Sequence, residues 1–128
     1  MNPKCVEPQE TLYRGVLINP FVWNDETNRP SSAAFKQTSS LSVDREGGRC
    51  KETVFQSLKK NVRSPLKAIA WFSAKHRFER RMEVRPDPTE TNQYHTLIDD
   101  NEDTIGVGTK NAKFLARRCE FSLLSITS

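Results

Sequence analysis

Residues 66 to 72, LKAIAWF (Leu66 to Phe72), are apolar at every position but Lys67. A strand with one wet face alternates apolar with polar residues, whereas a strand covered on both faces reads as a continuous apolar run. This segment is therefore expected in the middle of a sheet, and the sequence on either side supplies what would cover it. Upstream, Val54, Phe55, Leu58 and Val62 fall at i, i+1, i+4 and i+8. They make one apolar face of a helix from Lys51 to Val62, with Gln56, Lys59 and Lys60 on the other face and Ser64-Pro65 as its stop. Downstream, Phe78, Arg80, Met82 and Val84 share one parity and Glu79, Arg81, Glu83 and Arg85 the other. That pattern predicts a half-buried strand ended by Pro86-Asp87-Pro88.

Further strands are expected at Tyr94 to Ile98 (YHTLI), at Ser40 to Asp44 (SLSVD) before the Glu46-Gly47-Gly48 turn, and at Thr11 to Ile18 (TLYRGVLI). Asn19-Pro20 turns the chain, because a residue preceding proline is pushed out of the helical region. Phe21, Val22 and Trp23 give that turn an apolar anchor, and residues 24 to 40 read as a long ordered loop or a short helix between loops. Near the end, Ala112, Leu115, Ala116 and Cys119 lie at i, i+3, i+4 and i+7, one core face of a helix with Thr109 as its N-cap and Arg117 and Arg118 at its C-terminus. This helix is expected to pack on the 66 to 72 strand, and Phe121 to Ile126 is a last candidate strand.

These elements amount to an α+β domain with a mainly antiparallel sheet of four or five short strands and two helices. The chain of 128 residues has the length of one domain, residues 11 to 128, preceded by a flexible arm over residues 1 to 10. A hydrophobic fraction of 35% implies a small core under a wide polar surface, and 9% aromatics argues against a disordered chain. No stretch approaches the roughly 20 apolar residues of a bilayer span, and Met1 to Glu10 lacks the apolar centre of a signal peptide. A cytoplasmic protein without membrane contact is expected. Cys5, Cys50 and Cys119 are widely separated, which favours two ordinary thiols and, at Cys119, a small buried hydrophobe.

Charge is uneven along the chain. Residues 1 to 58 sum to zero, residues 59 to 85 carry 9 basic groups against Glu79 and Glu83, and residues 86 to 104 carry 6 acids and no base. A basic block attracts phosphates. An acidic block of nearly equal size beside it is expected to neutralise it on a shared surface. His76 lies within the basic block, among Lys75, Arg77, Arg80 and Arg81, a solvated turn whose cations are the candidate phosphate contacts.

No phosphate loop, dinucleotide fingerprint or HExxH motif occurs, and Gly106-Val107-Gly108 reads as a turn before the last helix. With only His76 and His95 as histidines and no close cysteine pair, neither a metal nor a cofactor is expected. Ser31, Ser32, Ser40 and Ser42 are outside any GxSxG elbow and have no base nearby in sequence, which disfavours serine hydrolase chemistry. His95 sits mid-strand beside Tyr94, where an imidazole that met Arg14 or Arg45 could polarise a phosphate or shuttle a proton. Arg14 can hold a carboxylate or phosphate in a bidentate pair, or an acid of its own chain such as Asp44.

The ordered series Leu12-Tyr13-Arg14, Ser31-Ser32-Ala33-Ala34-Phe35, Leu41-Ser42-Val43-Asp44-Arg45, Pro86-Asp87-Pro88 and His95 resembles a family of small bacterial proteins without an assigned activity. The resemblance implies a site where Arg14, Ser32, Phe35, Ser42, Asp44 and His95 converge, and Arg45, next to Asp44 in LSVDR, is counted in the same candidate pocket. An early arginine, a serine segment and a later histidine are also similar to enzymes that handle the ADP-ribose of NAD. The late glutamate in an apolar strand is missing here, since Glu120 follows a helix and Glu102 lies in an acidic turn.

Without a catalytic constellation in the sequence, the first expectation is a non-enzymatic bacterial binding or accessory protein. It would dock to a partner protein and touch nucleic acid weakly and electrostatically through residues 59 to 85. The alternative is a small enzyme acting on a nucleotide or nucleic acid. A concave pocket holding His95 together with Arg14 or Arg45 would favour the enzyme.

Overall fold

A computed structural model describes residues 1–62 and 64–124. Strand β5 (Leu66–Ser73) is hydrogen-bonded on both sides, to β1 (Thr11–Leu17) over its whole length and to β8 (Glu120–Leu123). Its neighbours extend the sheet through β4 (Leu41–Arg45), β7 (His95–Asp99) and β6 (Glu83–Pro86). The order is β6-β7-β4-β1-β5-β8, every pair antiparallel. The remaining elements are a ribbon of β2 (Trp23–Asn24) with β3 (Arg29–Pro30), a 3-10 turn (Ser32–Ala34), α1 (Lys51–Asn61), α2 (His76–Arg80) and α3 (Thr109–Arg118).

Both sheet faces are covered, which accounts for the unbroken apolar run of β5. Ala68, Ala70 and Phe72 join Leu12, Val16, Val43 and Ile98 in one cluster with Phe35, with Ala112, Leu115 and Ala116 of α3 and with Cys119 at its C-cap. Ile69, of opposite parity, joins Tyr13 in a second cluster with Val54 and Leu58 of α1. The α1 face and the α3 face lie where their 3.6-residue spacing puts them, and Cys119 is buried whereas Cys5 and Cys50 are exposed.

The α+β class and antiparallel sheet agree with the sequence reading, but among the described residues the main sheet has six strands and there are three helices. The extra helix replaces the front half of the strand expected at residues 78 to 84. His76 to Arg80 coil into α2, Arg81 takes a left-handed conformation at φ 56°, and Phe78 is 59% exposed. Arg, Glu and Lys are good helix formers, and the alternation there had only Met82 and Val84 to bury. The loop expected over residues 24 to 40 contains the β2–β3 ribbon and the 3-10 turn, started by Asn24 Oδ1 accepting the N–H groups of Glu26 and Thr27.

Thr109 is the first residue of α3 and not its cap. The N-cap is Gly108, whose N–H is taken by Asp100 Oδ2 at 2.9 Å. Gly106, at φ 95°, makes the turn before it, and a Cβ there would run into the carbonyl oxygen of Gln37. The first ten residues form no helix or strand, yet Val6 is buried in the larger cluster. Ser125 and Ile126, in the last strand candidate, lie outside the described residues. No described helix is long and apolar enough to cross a membrane.

Candidate functional site

Strands β1 and β4 pair at only two positions, Leu12↔Arg45 and Tyr13↔Asp44, although both continue further. Past that point Arg14 takes over the bonding. Its Nε donates to the Ala34 carbonyl at 2.6 Å and its Nη1 to the Ser42 carbonyl at 2.8 Å. Burial lowers its pKa to about 10, so the guanidinium stays charged at neutral pH. No described carboxylate forms an ion pair with it, and the expected bond to Asp44 is absent for a reason of parity. Arg14 lies opposite Ala70 on the α3 side, whereas Asp44 lies opposite Tyr13 on the α1 side.

Above the splayed strands, on the α1 side, is a cavity of about 340 Å³. Ser42 and Asp44 line it from the sheet, Asn92 and His95 from one flank, and the end of α1 (Leu58, Asn61) from the other, while Arg14, based on the opposite face, borders it at the gap between β1 and β4. Asp44 and His95 are direct cross-strand partners of β4 and β7, and Ser42 is on the same face two residues along. His95 is held at both ring nitrogens. Nε2 lies 3.1 Å from Ser42 Oγ, and Nδ1 lies 3.1 Å from Asp87 Oδ2 and 3.0 Å from the Asp87 carbonyl. A carboxylate on Nδ1 fixes the tautomer in which Nδ1 carries the proton and Nε2 accepts one. Ser42 Oγ then donates to a base, the geometry of an activated nucleophile.

Asp44 is the least satisfied group in the cavity. It is 5% exposed; Oδ1 accepts from Asn92 Nδ2 at 3.0 Å, and Oδ2 is buried without a hydrogen-bond partner. Burial pushes its carboxyl above the ordinary value, against the pull of Asn92, Arg49 and His95. For an acid with a raised folded pKa, the stabilising contribution is complete below the unfolded pKa and disappears as pH rises through the folded one. The folded protein thus carries a penalty at neutral pH. Asp44→Asn should therefore raise stability at pH 7 by about 1 kcal/mol, an advantage that disappears on acidification as the parent's carboxyl protonates. Urea unfolding of both proteins at neutral and acid pH checks this, and a loss of stability at pH 7 would show that the carboxylate is already paired.

Of the residues expected to converge, Ser42, Asp44 and His95 do so on one face, and Arg14 borders their cavity from the other. The other three do not. Phe35 is fully buried on the other face, edge-on to Phe72 at 6.0 Å. Ser32 opens the 3-10 turn beside Lys113 and Arg117 of α3. Arg45 is 1% exposed and spent on structure, forking onto Glu10 and onto the carbonyls of Asn2 and Cys5. Its odd position in β4 separates it from Ser42 and Asp44. Lys75, Arg77, Arg80 and Arg81 surround α2, away from the cavity. Asp87 and Asn92 were not anticipated as site residues. Their signal was the PDP turn and the eight-residue step from Asp87 to His95, which brings the turn back over the histidine's own strand.

Comparison with protein-family models, curated proteins and solved structures finds no match to this chain.

Proposed function

We propose that the protein is a small hydrolytic enzyme acting on an ester of a nucleotide, with Ser42 as nucleophile, His95 as general base and Asp87 as the group that orients it. The observation that carries this reading is the line Asp87, His95, Ser42, with 3.1 Å at each junction, at a cavity that also contains Arg14. Docking to a partner protein was the first expectation because the sequence displayed no catalytic constellation. What supports an enzyme instead is that the His95 imidazole and the Ser42 hydroxyl, 53 positions apart in sequence, lie within hydrogen-bond distance.

In the proposed reaction Ser42 Oγ attacks the phosphorus or acyl carbon as its proton passes to His95 Nε2. The imidazolium, stabilised by Asp87, returns that proton to the departing alcohol oxygen. Water then cleaves the covalent intermediate by the same route. Arg14, fixed on the Ser42 carbonyl, offers its remaining N–H groups to the substrate's negative charge. The unpartnered Asp44 oxygen would accept an N–H from the part of the substrate that lies deepest, as a nucleobase amine does.

A fluorophosphonate probe tests this without knowledge of the natural substrate. The expected adduct is on Ser42, located by peptide mass spectrometry and absent from Ser42→Ala. His95→Ala should slow labelling by about 100-fold, the low end for loss of a general base. Labelling of no serine, or labelling of Ser42 at the same rate without His95, would sink the proposal.

A further inference from the structure

Among the described residues the acidic and basic blocks form one ion pair with each other, Arg85 with Asp99. Asp87 is bound to His95, and Asp100 accepts the N–H groups of Gly108 and Asn111. Cations cluster around α2 and α3: Lys75, Arg77, Arg80 and Arg81 at the first, and Lys110, Lys113, Arg117 and Arg118 on the second. None of these eight forms an ion pair with a described acid. Of the nearby carboxylates, Glu79 is bonded to His76 and Glu120 to the Trp71 indole N–H.

We infer that this α2–α3 face binds the backbone of a single-stranded nucleic acid, independently of the cavity on the α1 side. Charge complementarity selects a polyanion, and the shape and chemistry of the face select among polyanions. The cations flank separate clefts and do not form a flat sheet of charge. Arg80, Arg81 and Lys110 edge one of about 630 Å³ that Asp100 also lines, Lys113 and Arg117 one of about 400 Å³, and Lys75 and Arg118 one of about 330 Å³ that Glu120 also lines, so cations outnumber acids in each. The same two helices carry aromatic rings already paired with guanidinium groups. Phe78, 59% exposed, has the Arg77 guanidinium carbon 4.5 Å from its centroid. Phe114 has those of Arg80 and Arg118 at 5.6 and 5.0 Å. Cationic clefts that track phosphates, with rings on which unpaired bases stack, are the requirements of sequence-tolerant single-strand binding. A ten-residue helix is about 15 Å long, room for only a few phosphates, so the affinity is weak and strongly dependent on salt.

The test is fluorescence anisotropy of the whole protein with a labelled mixed-sequence DNA strand of about 20 nucleotides, from about 50 to about 400 mM salt. The expected result is binding at low salt whose logarithm falls with that of salt at a slope of about −3, as for four neutralised phosphates. Lys113→Glu combined with Arg117→Glu should weaken it at least about tenfold and flatten the slope by about 1.4. Phe78→Ala should weaken it about tenfold while leaving the slope in place. The control Lys59→Glu with Lys60→Glu, on α1 across the sheet, should leave binding unchanged, and thermal unfolding verifies that each variant is folded. The inference is overturned by absence of binding at the lowest salt, by an equal loss in the control, or by tighter binding of the duplex with Phe78→Ala silent. Preference for an acidic peptide or phosphatidylserine vesicles over the strand would also overturn it. Fluorophosphonate labelling of Ser42 is unaffected by any of these outcomes, so the two proposals fail separately.

Discussion

Arg45→Ala is expected to destabilise the protein by about 3–5 kcal/mol, the cost of removing one partner from a buried ion pair. The guanidinium is 1% exposed and bonded at all three nitrogens, with Glu10 on Nε and Nη2, the Cys5 carbonyl also on Nη2 and the Asn2 carbonyl on Nη1. Deleting it leaves the Glu10 carboxylate, 12% exposed, without its counter-charge and frees the segment that buries Val6. The effect depends on pH in a defined sense. Burial pushes Glu10 up, but Arg45 and backbone N–H groups outweigh it and hold the carboxyl below its ordinary 4.5. An acid with a lowered folded pKa contributes stability above its unfolded pKa and loses it as pH falls through the folded one. Parent and variant should therefore differ most at neutral pH and converge below the ordinary carboxylate range. Urea midpoints at pH 7 and in acid decide it. A double change, Glu10→Gln with Arg45→Met, should cost less than Arg45→Ala alone, because it leaves no unpaired charge. A loss below about 1 kcal/mol at pH 7 would mean that the N-terminal segment is not anchored through Arg45.

What the sequence revealed of this molecule follows from how far each signal reaches. Apolarity in Leu66 to Phe72, and helical spacing in Val54 and Leu58 and in Ala112, Leu115 and Ala116, are local records of burial, and these apolar side chains are buried except Leu66 and Trp71, which are partly so. Alternation at Phe78 to Val84 was a weaker record, since a five-residue helix and a strand both satisfy it when only two of the residues are buried. Period 2 also held the answer for part of the site. Ser42 and Asp44 share a parity that Arg45 does not, so only two of these three were able to face His95. The sequence could not display the register that sets Asp44 against His95, because cross-strand register is fixed by the packing of distant segments. Nor could it display the early end of the β1–β4 ladder, which opens the gap that Arg14 fills. Ser42 appeared to lack a base for the same reason: the imidazole 3.1 Å from its hydroxyl belongs to a neighbouring strand and not to a neighbouring residue.

The second large effect expected is in the core under α3, where Leu115→Ala should cost about 2–5 kcal/mol. Leu115 has no exposed surface, and it belongs to the cluster that joins α3 to the inner face of β5. Where the cost falls within that range depends on how well the neighbours can close the hole. Here they are ill-suited to do so. Ala68 and Ala70 on the strand and Ala112 and Ala116 on the helix are already small and buried, with no side-chain length to move into the space. Phe35 and Phe72 are held edge-on to each other at 6.0 Å. The expected value is therefore in the upper half of the range, read as a lowered denaturant midpoint with an unchanged slope. Leu123→Ala is the comparison, because that leucine lies on the edge strand and is 53% exposed, and it should change stability by no more than about 0.5 kcal/mol. If both substitutions had the same small effect, α3 would not be packed on β5, and the apolar run from Leu66 to Phe72 would need a different cover on that face.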